Sequence, residues 1–262
     1  MFYILKKSKA FKLLFTLVLI ALFSSCTSKK DILYFQDANT FEQAKVVNQI
    51  GFIQPNDILS IQVEALVQES AIPYNKQVVG NGGMQNIEIL RLQGYLVDEE
   101  GSIKFPVLGK LTLAGMKLLE AETYLEALLE EGNHLSKPKV TIRYLNAKFT
   151  ILGEVRSPGT YTYTEQFITL PQALGYAGDL SINARRDDVM LLREENGNRT
   201  VYTVDLTSTD WLNDPSYTIR QNDIIIVNPN DAKVKSAGFI GNSGTVLSIV
   251  SFLLTSIVLI TR

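Results

Sequence analysis

From residue 52 to about residue 230, apolar positions recur mostly at every second place, in short runs bounded by Gly, Pro, Asn and Asp. A period of two is the mark of half-buried strands. Ile58, Leu59, Ile61 and Val63 follow the turn formers Gln54-Pro55-Asn56-Asp57. Residues 94–97 and 102–106 flank Asp98-Glu99-Glu100-Gly101, which predicts a hairpin with Gly101 supplying positive φ. A further strand is predicted over 110–115. Leu118, Ala121, Tyr124, Leu125, Leu128 and Leu129 then recur at spacings of three and four. Glu120, Glu122, Glu126, Glu130 and Glu131 fall mostly elsewhere, so the period changes to that of an amphipathic helix, ended by Gly132. Val140, Ile142 and Tyr144 restore the alternation and complete a first unit.

A second unit opens with the apolar run 149–155 and turns at Pro158-Gly159, a pair suited to a type II turn. Thr169 and Gln172 make a capping box with Pro171 early in the helix, which Gly175 and Gly178 end. Residues 189–192 and 199–204 flank Asn196-Gly197, a strong hairpin signal, and Ile224–Val227 behind Asn222-Asp223 reads as a buried strand. Three or four strands around one short helix suggest a β-grasp-like unit. Gln221-Asn222-Asp223-Ile224-Ile225 echoes Pro55-Asn56-Asp57-Ile58-Leu59, too briefly to count as a repeat. Before Gly94 lies a stretch of roughly 25 residues containing Gly80-Asn81-Gly82-Gly83, longer than a compact domain usually leaves without structure. It lines an assembly surface or a ligand path, or it is a plain surface loop.

Both ends break the alternation. Lys6, Lys7, Lys9 and Lys12 precede an apolar run from Leu13 to Phe23, shaped like a secretory signal and too short for a bilayer helix of about 20 residues. The run stops at Ser24-Ser25, directly before Cys26, the chain's one cysteine. This resembles a bacterial lipobox, with Phe23 where an aliphatic residue is usual, and implies cleavage before Cys26 and lipidation of its thiol. An ordinary cleavage site beside an incidental cysteine is the other reading. At the far end Val246–Ile260 carries no charge, proline or glycine. As a helix it would span about 23 Å, against about 30 Å of hydrocarbon in an average bilayer. The bacterial outer membrane is thinner, which narrows the gap. Ser248, Ser251, Thr255 and Ser256 are expected on one helical stripe, with Leu247, Ile249, Phe252 and Leu253 toward lipid or neighbouring helices. Such a stripe lets membrane helices pack closely or faces water inside a ring of helices. A lone tail anchor with incidental serines is the plainest alternative.

Composition narrows what the chain can do. Of 262 residues, 46% are hydrophobic and 20% charged, enough apolar content to fold. With 25 basic against 27 acidic side chains there is no basic footprint, so nucleic acid is not an expected partner. Loss of residues 1–25 would remove four lysines and no acid, leaving 21 basic against 27 acidic groups. One cysteine excludes an intrachain disulfide and a cysteine metal cage. The single histidine, His134, follows Gly132-Asn133 and is expected in an exposed loop. Asp187-Asp188 and Glu99-Glu100 are adjacent pairs whose side chains diverge, unlike the spaced carboxylates of a glycosidase. There is no phosphate loop and no paired His-Glu metal motif. The expectation is a protein that is not an enzyme, with no catalytic residues, no cofactor and no metal.

Residues 54–61 and 94–109, the stretches around Asn56-Asp57 and Asp98–Gly101, resemble the first module of bacterial outer-membrane polysaccharide export lipoproteins. Phe149-Thr-Ile-Leu-Gly-Glu-Val-Arg-Ser-Pro-Gly-Thr-Tyr161 resembles the opening of the soluble ligand-binding β-grasp (SLBB) domain that follows in that family. The resemblance covers about residues 50–262 and rests on the order of lipobox, export module, β-grasp unit and C-terminal helix. It implies an α+β fold of two β-rich modules followed by a C-terminal membrane helix. The implied division is a signal peptide (1–25), a lipidated tail (26–48), an export domain (49–146), an SLBB domain (147–232) and a transmembrane helix (233–262). It further implies a homo-oligomeric ring in the outer membrane with the modules in the periplasm, exporting capsular polysaccharide or exopolysaccharide. In that ring Cys26 is lipidated, Ser248, Ser251 and Thr255 line the pore, and an inner-membrane polysaccharide copolymerase or chain-length regulator is the partner. The alternative is a lipid-anchored periplasmic glycan-binding or scaffold protein with no pore of its own. The chain departs from larger members in having one β-grasp unit and a less charged terminal helix.

Overall fold

A computed structural model describes residues 29–42, 51–76, 91–195, 197–237 and 243–260 of the chain. They form two β-rich modules, each around its own apolar core. The first contains β1 (Ile58–Glu64), α1 (Gln68–Ala71), β2 (Tyr95–Leu96), β3 (Ser102–Phe105), β4 (Gly109–Thr112), α2 (Leu118–Glu131) and β5 (Lys139–Tyr144). The alternation along β1 does what its spacing predicts: Leu59, Ile61 and Val63 are buried while Gln62 and Glu64 face water. β1 is the middle strand of an antiparallel sheet ordered β2-β1-β5.

The hairpin expected between residues 94–97 and 102–106 is not a paired ladder. Tyr95 and Leu96 pair with Leu59 and Ile58, whereas β3 pairs with β4 around Val107, which takes φ 64. The turn itself is present, with Gly101 at φ 77. Competition explains the difference. The Val97 N–H donates to Asp57 and its carbonyl accepts from Asn56, so the chain before the turn is already committed to β1.

α2 buries Leu118, Ala121, Leu125 and Leu129, and its outer face is not idle. Glu122 and Glu126 accept from the outward backbone N–H groups of Ile142 (2.8 Å) and Val140 (3.0 Å) along the free edge of β5. Four helical residues rise about 6 Å, close to the advance of two strand residues, so the carboxylates match alternate N–H groups. They close an edge that would otherwise invite strand pairing. Gly132 ends the helix without a left-handed turn, at φ −71, and Asn133 takes the positive φ of 53. Glycine is needed there because a Cβ would meet the His134 ring at 2.5 Å. His134 is exposed, as expected, with its Nδ1 3.2 Å from the Tyr74 hydroxyl.

The second module contains β6 (Lys148–Gly153), β7 (Gly159–Thr162), β8 (Ile168–Thr169), α3 (Leu170–Tyr176), β9 (Ala184–Glu195), β10 (Asn198–Val204), β11 (Thr218–Ile219) and β12 (Ile224–Pro229). Five strands lie in the order β10-β9-β12-β6-β7, with β12 parallel to β6 and the other pairs antiparallel. The α3 capping box forms: the Gln172 N–H donates to Thr169 Oγ1, and the Thr169 N–H to Gln172 Oε1 at 2.8 Å. The type II turn expected at Pro158-Gly159 is absent, since Gly159 begins β7 without positive φ. The left-handed residue is instead Gly153, at φ 92, where a Cβ would lie 2.0 Å from the Val227 carbonyl oxygen.

Residues 29–42 precede the first module in sequence but pack on the second. Tyr34 and Phe35 join the apolar cluster of Phe149, Leu206 and Trp211. The Phe35 and Gln36 N–H groups donate to Leu206 (3.2 Å) and Thr207 (2.7 Å), and Asp37 accepts from the backbone and hydroxyl of Thr209. After β12, the chain continues into α4 (Asp231–Ser236) and α5 (Ser243–Ile260).

Candidate functional site

The modules are joined by three residues, Leu145-Asn146-Ala147, between β5 and β6. Asn146 ties the junction down. Its Oδ1 accepts from the Ile58 N–H at 2.9 Å, and its Nδ2 donates to the Asn56 carbonyl at 2.9 Å. Beside it the two echoing sequences form the same turn. In each, the N–H of the first residue donates to the carboxylate three places on, Gln54 to Asp57 and Arg220 to Asp223, both at 2.8 Å. In each, the N–H of that aspartate returns to the first carbonyl, and the preceding asparagine is left-handed, Asn56 at φ 71 and Asn222 at φ 64. Both aspartates are 1% exposed.

Their surroundings differ. Asp223 receives a two-pronged pair from Arg193, whose Nε and Nη2 lie 3.0 and 2.6 Å from its oxygens. Arg193 also donates to the carbonyls of Pro215 and Thr218, so the buried cation is fully used. Burial pushes the Asp223 carboxyl up, and Arg193 acts against it. Asp57 has no ion-pair partner among the described residues. Gln221 of the second module reaches across to donate to its Oδ1 at 2.6 Å, and Gln221 Oε1 is left buried without a partner. Burial therefore dominates, and the Asp57 carboxyl is pushed up to about 7. Tyr144 and Tyr163 line the same small space with Gln54, Glu194 and Gln221. On another face of the junction, a groove of about 400 Å³ runs past Glu122, Arg143, Tyr144, Tyr163 and Glu165.

The terminal helix α5 is an uncharged element of 18 residues. Ser248, Ser251 and Thr255 are exposed in the single chain, and so are Leu247, Ile249, Phe252 and Leu259. Three of the four stripe hydroxyls bond inside the helix: Ser248 donates to Gly244, Thr255 to Ser251 and Ser256 to Phe252, each at 2.8 Å. Such bonds to the preceding turn satisfy a hydroxyl inside its own helix. The stripe is also less pure than expected. Phe252 stands four residues after Ser248 and so shares its face. Among the described residues no helix is long and apolar enough to cross a membrane. Eighteen residues rise about 27 Å, a little less than the roughly 30 Å hydrocarbon core of an average bilayer. The helix expected toward the C-terminus exists, but it does not suffice as a lone span. Cys26 and the Gly80–Gly83 stretch lie outside the described residues. No group of His, Cys, Asp and Glu among the described residues could hold a metal ion.

A mixed sheet clasping one helix behind an export-type module defines a two-module class, and comparison with known proteins gives it a family. The polysaccharide biosynthesis/export protein family model matches residues 47–145, and the SLBB domain model matches residues 148–205. The two cover more than half of the chain, which belongs to the polysaccharide export family whose members carry an SLBB domain. Among curated proteins the chain is similar to the EPS I polysaccharide export outer membrane protein EpsA of Ralstonia solanacearum, 27% identical over 158 residues. The corresponding protein of Ralstonia nicotianae is 27% identical over 161 residues. These alignments take in 59% and 60% of this chain and 41% of each relative, so the chain spans about two fifths of the length of the proteins it matches.

The sequence pattern located the β-grasp unit and the echoing turns. It missed the tail's docking on the second module, the edge closure by Glu122 and Glu126, and the isolation of Asp57. Only the echo carried a signal, because the other features join residues far apart in sequence.

Proposed function

We propose that this protein is an outer-membrane lipoprotein that assembles into a ring and exports a capsular polysaccharide or exopolysaccharide across the outer membrane. The observation that carries this reading is the order of elements: an export domain, an SLBB domain, then an uncharged helix that leaves Leu247, Ile249, Phe252 and Leu259 exposed in the single chain. An isolated α5 would be a poor span, whereas helices contributed by several copies cover one another's flanks and deform the thin outer membrane less. The names of the two Ralstonia relatives support the location and the cargo. In the ring, Ser248, Ser251 and Thr255 face the aqueous lumen, and Phe252 on the same face narrows it. Lipidated Cys26 supplies the second attachment that stable anchoring needs. The modules stand in the periplasm, where an inner-membrane polysaccharide copolymerase or chain-length regulator delivers the polymer. A hydrated polymer in a polar conduit needs no covalent chemistry from the chain.

The self-bonded hydroxyls and the short span favour a second reading, a lipid-anchored periplasmic glycan-binding or scaffold protein without a pore. Cysteine scanning from Thr245 to Ile260 with Cys26 retained, probed in cells by a bulky membrane-impermeant thiol reagent, separates the two. The ring reading expects labelling to peak at 248, 251 and 255 and to block surface polysaccharide. Protection of all three positions, or labelling that leaves export intact, sinks it in favour of the scaffold.

A further inference from the structure

The docked tail lies on a surface whose chemistry exceeds what apolar packing requires. Phe35 stacks on Trp211 with ring centroids 5.9 Å apart and planes 20° apart. Phe35 adopts φ 47, a region that a bulky side chain rarely occupies, so the chain accepts backbone strain to lay this ring on the indole. Next to it, the Tyr34 hydroxyl donates to Asp179 Oδ1 at 2.6 Å, and the Arg186 guanidinium lies 5.3 Å from the centre of the Tyr34 ring. Arg186 is 5% exposed, yet it makes no ion pair among the described residues. Its Nε is buried without a partner, and its other nitrogens make long bonds of 3.3 and 3.4 Å to the carbonyls of Ala184 and Ser181 and a hydrogen bond to the Tyr34 hydroxyl. A buried guanidinium is costly unless its donors are used. Arg193 in the same module shows what full use looks like.

An indole face, a carboxylate and a guanidinium with an unpartnered Nε–H and a donor now spent on the strap's hydroxyl are the groups that hold a sugar: ring C–H bonds on the indole, hydroxyls on Asp179, a carboxylate substituent on Arg186. Tyr34 and Phe35 fill these places with a hydroxyl and a ring, their centroids 6.4 Å apart. We propose that the Tyr34-Phe35 strap is an internal occupant of an acidic-saccharide site formed by Trp211, Asp179 and Arg186, so that strap docking and glycan binding exclude one another. This goes beyond the export reading, which assigns no ligand contact to the second module.

Trp211 is the chain's one tryptophan, so its emission reports this site alone. The full chain in mild detergent is titrated with tetragalacturonate, with cellotetraose as the neutral control. Tyr34→Phe removes only the hydroxyl and keeps the ring, and Tyr34→Ala/Phe35→Ala frees the whole surface. A binder whose competent state is mostly closed gains apparent affinity in proportion to the fraction opened. The double variant should show red-shifted emission and bind tetragalacturonate about tenfold or more tighter than the wild type. Tyr34→Phe should give a smaller gain, and Arg186→Gln in that background should abolish it. If the double variant loses its cooperative unfolding, Tyr34→Phe decides alone. A strap that merely completes the core predicts no gain in either variant, and that result overturns the proposal. Equal binding of cellotetraose and tetragalacturonate would overturn the role given to Arg186. Neither failure would touch the export reading, which is tested in cells at α5.

Discussion

The turns at 54–57 and 220–223 share a backbone, a left-handed asparagine and a buried aspartate, yet they carry their charge differently. Asp223 sits inside one module against Arg193, and its neutralisation is complete within that module. Asp57 sits where the modules meet, and what reaches it from across the junction is a neutral amide. The same local code therefore yields a self-contained anchor in one place and, in the other, a contact whose strength depends on pH and on the two modules staying together. A buried carboxylate is tolerated only as far as its partners offset lost hydration.

Removing the cation from the paired turn is the most severe way to break this contrast. Arg193→Met would leave Asp223 buried and uncompensated, at a cost of about 3–5 kcal/mol. Urea unfolding followed by Trp211 emission should show it, and adding Asp223→Asn should recover much of the loss. If Arg193→Met is as stable as the wild type, the two turns are not electrostatically different.

The unpaired turn should respond in the opposite sense. With its carboxyl at about 7 when folded and near 3.8 when unfolded, Asp57 keeps its proton in the native state across a window where the unfolded chain has lost it. Stability from this group is full below about pH 4, falls as pH rises toward 7 and levels off above. Asp57→Asn should therefore have little effect near pH 3 and stabilise by about 2–4 kcal/mol at pH 8. An asparagine there can keep the Gln54 bond while its amide meets the stranded Gln221 oxygen. Unfolding curves at the two pH values test this, and a variant destabilised equally at both would refute it.

The smallest effect should be common to both turns, because it belongs to the backbone they share. Asn56→Ala and Asn222→Ala each place a Cβ with no local hydrogen bonding at positive φ, for about 1 kcal/mol. Glycine at either position should be close to neutral. Costs that differ widely between the two sites would mean that the turns are alike only in outline.

How much of this was legible in the sequence follows from distance along the chain. The Asn-Asp-Ile echo marked both turns, periodicity marked β1, α2 and β5, the Thr169/Gln172 capping box marked α3 and an unbroken apolar run marked β12, since each depends on neighbours within a few residues. The pairing of residues 95–96 could not be read locally. Asp98–Gly101 is a genuine turn, yet β1 outcompetes β3 for the strand before it. The positions of Ser and Thr in α5 were legible as a stripe, but Phe252 on the same face was not counted with them. The bonding of those hydroxyls was not legible, because the helix itself supplies the acceptors.

By itself the sequence determined the period of each segment, the turns that bound them and, through the order of two modules and an uncharged tail, the family. Those properties are local or composed of local pieces in series. Only the tertiary structure decided which aspartate meets a cation, which face of α2 closes an edge, and that residues 29–42 belong with a module beginning more than a hundred residues later. Burial and charge compensation are set by groups that meet across the fold, and nothing in the spacing along the chain says which groups those are.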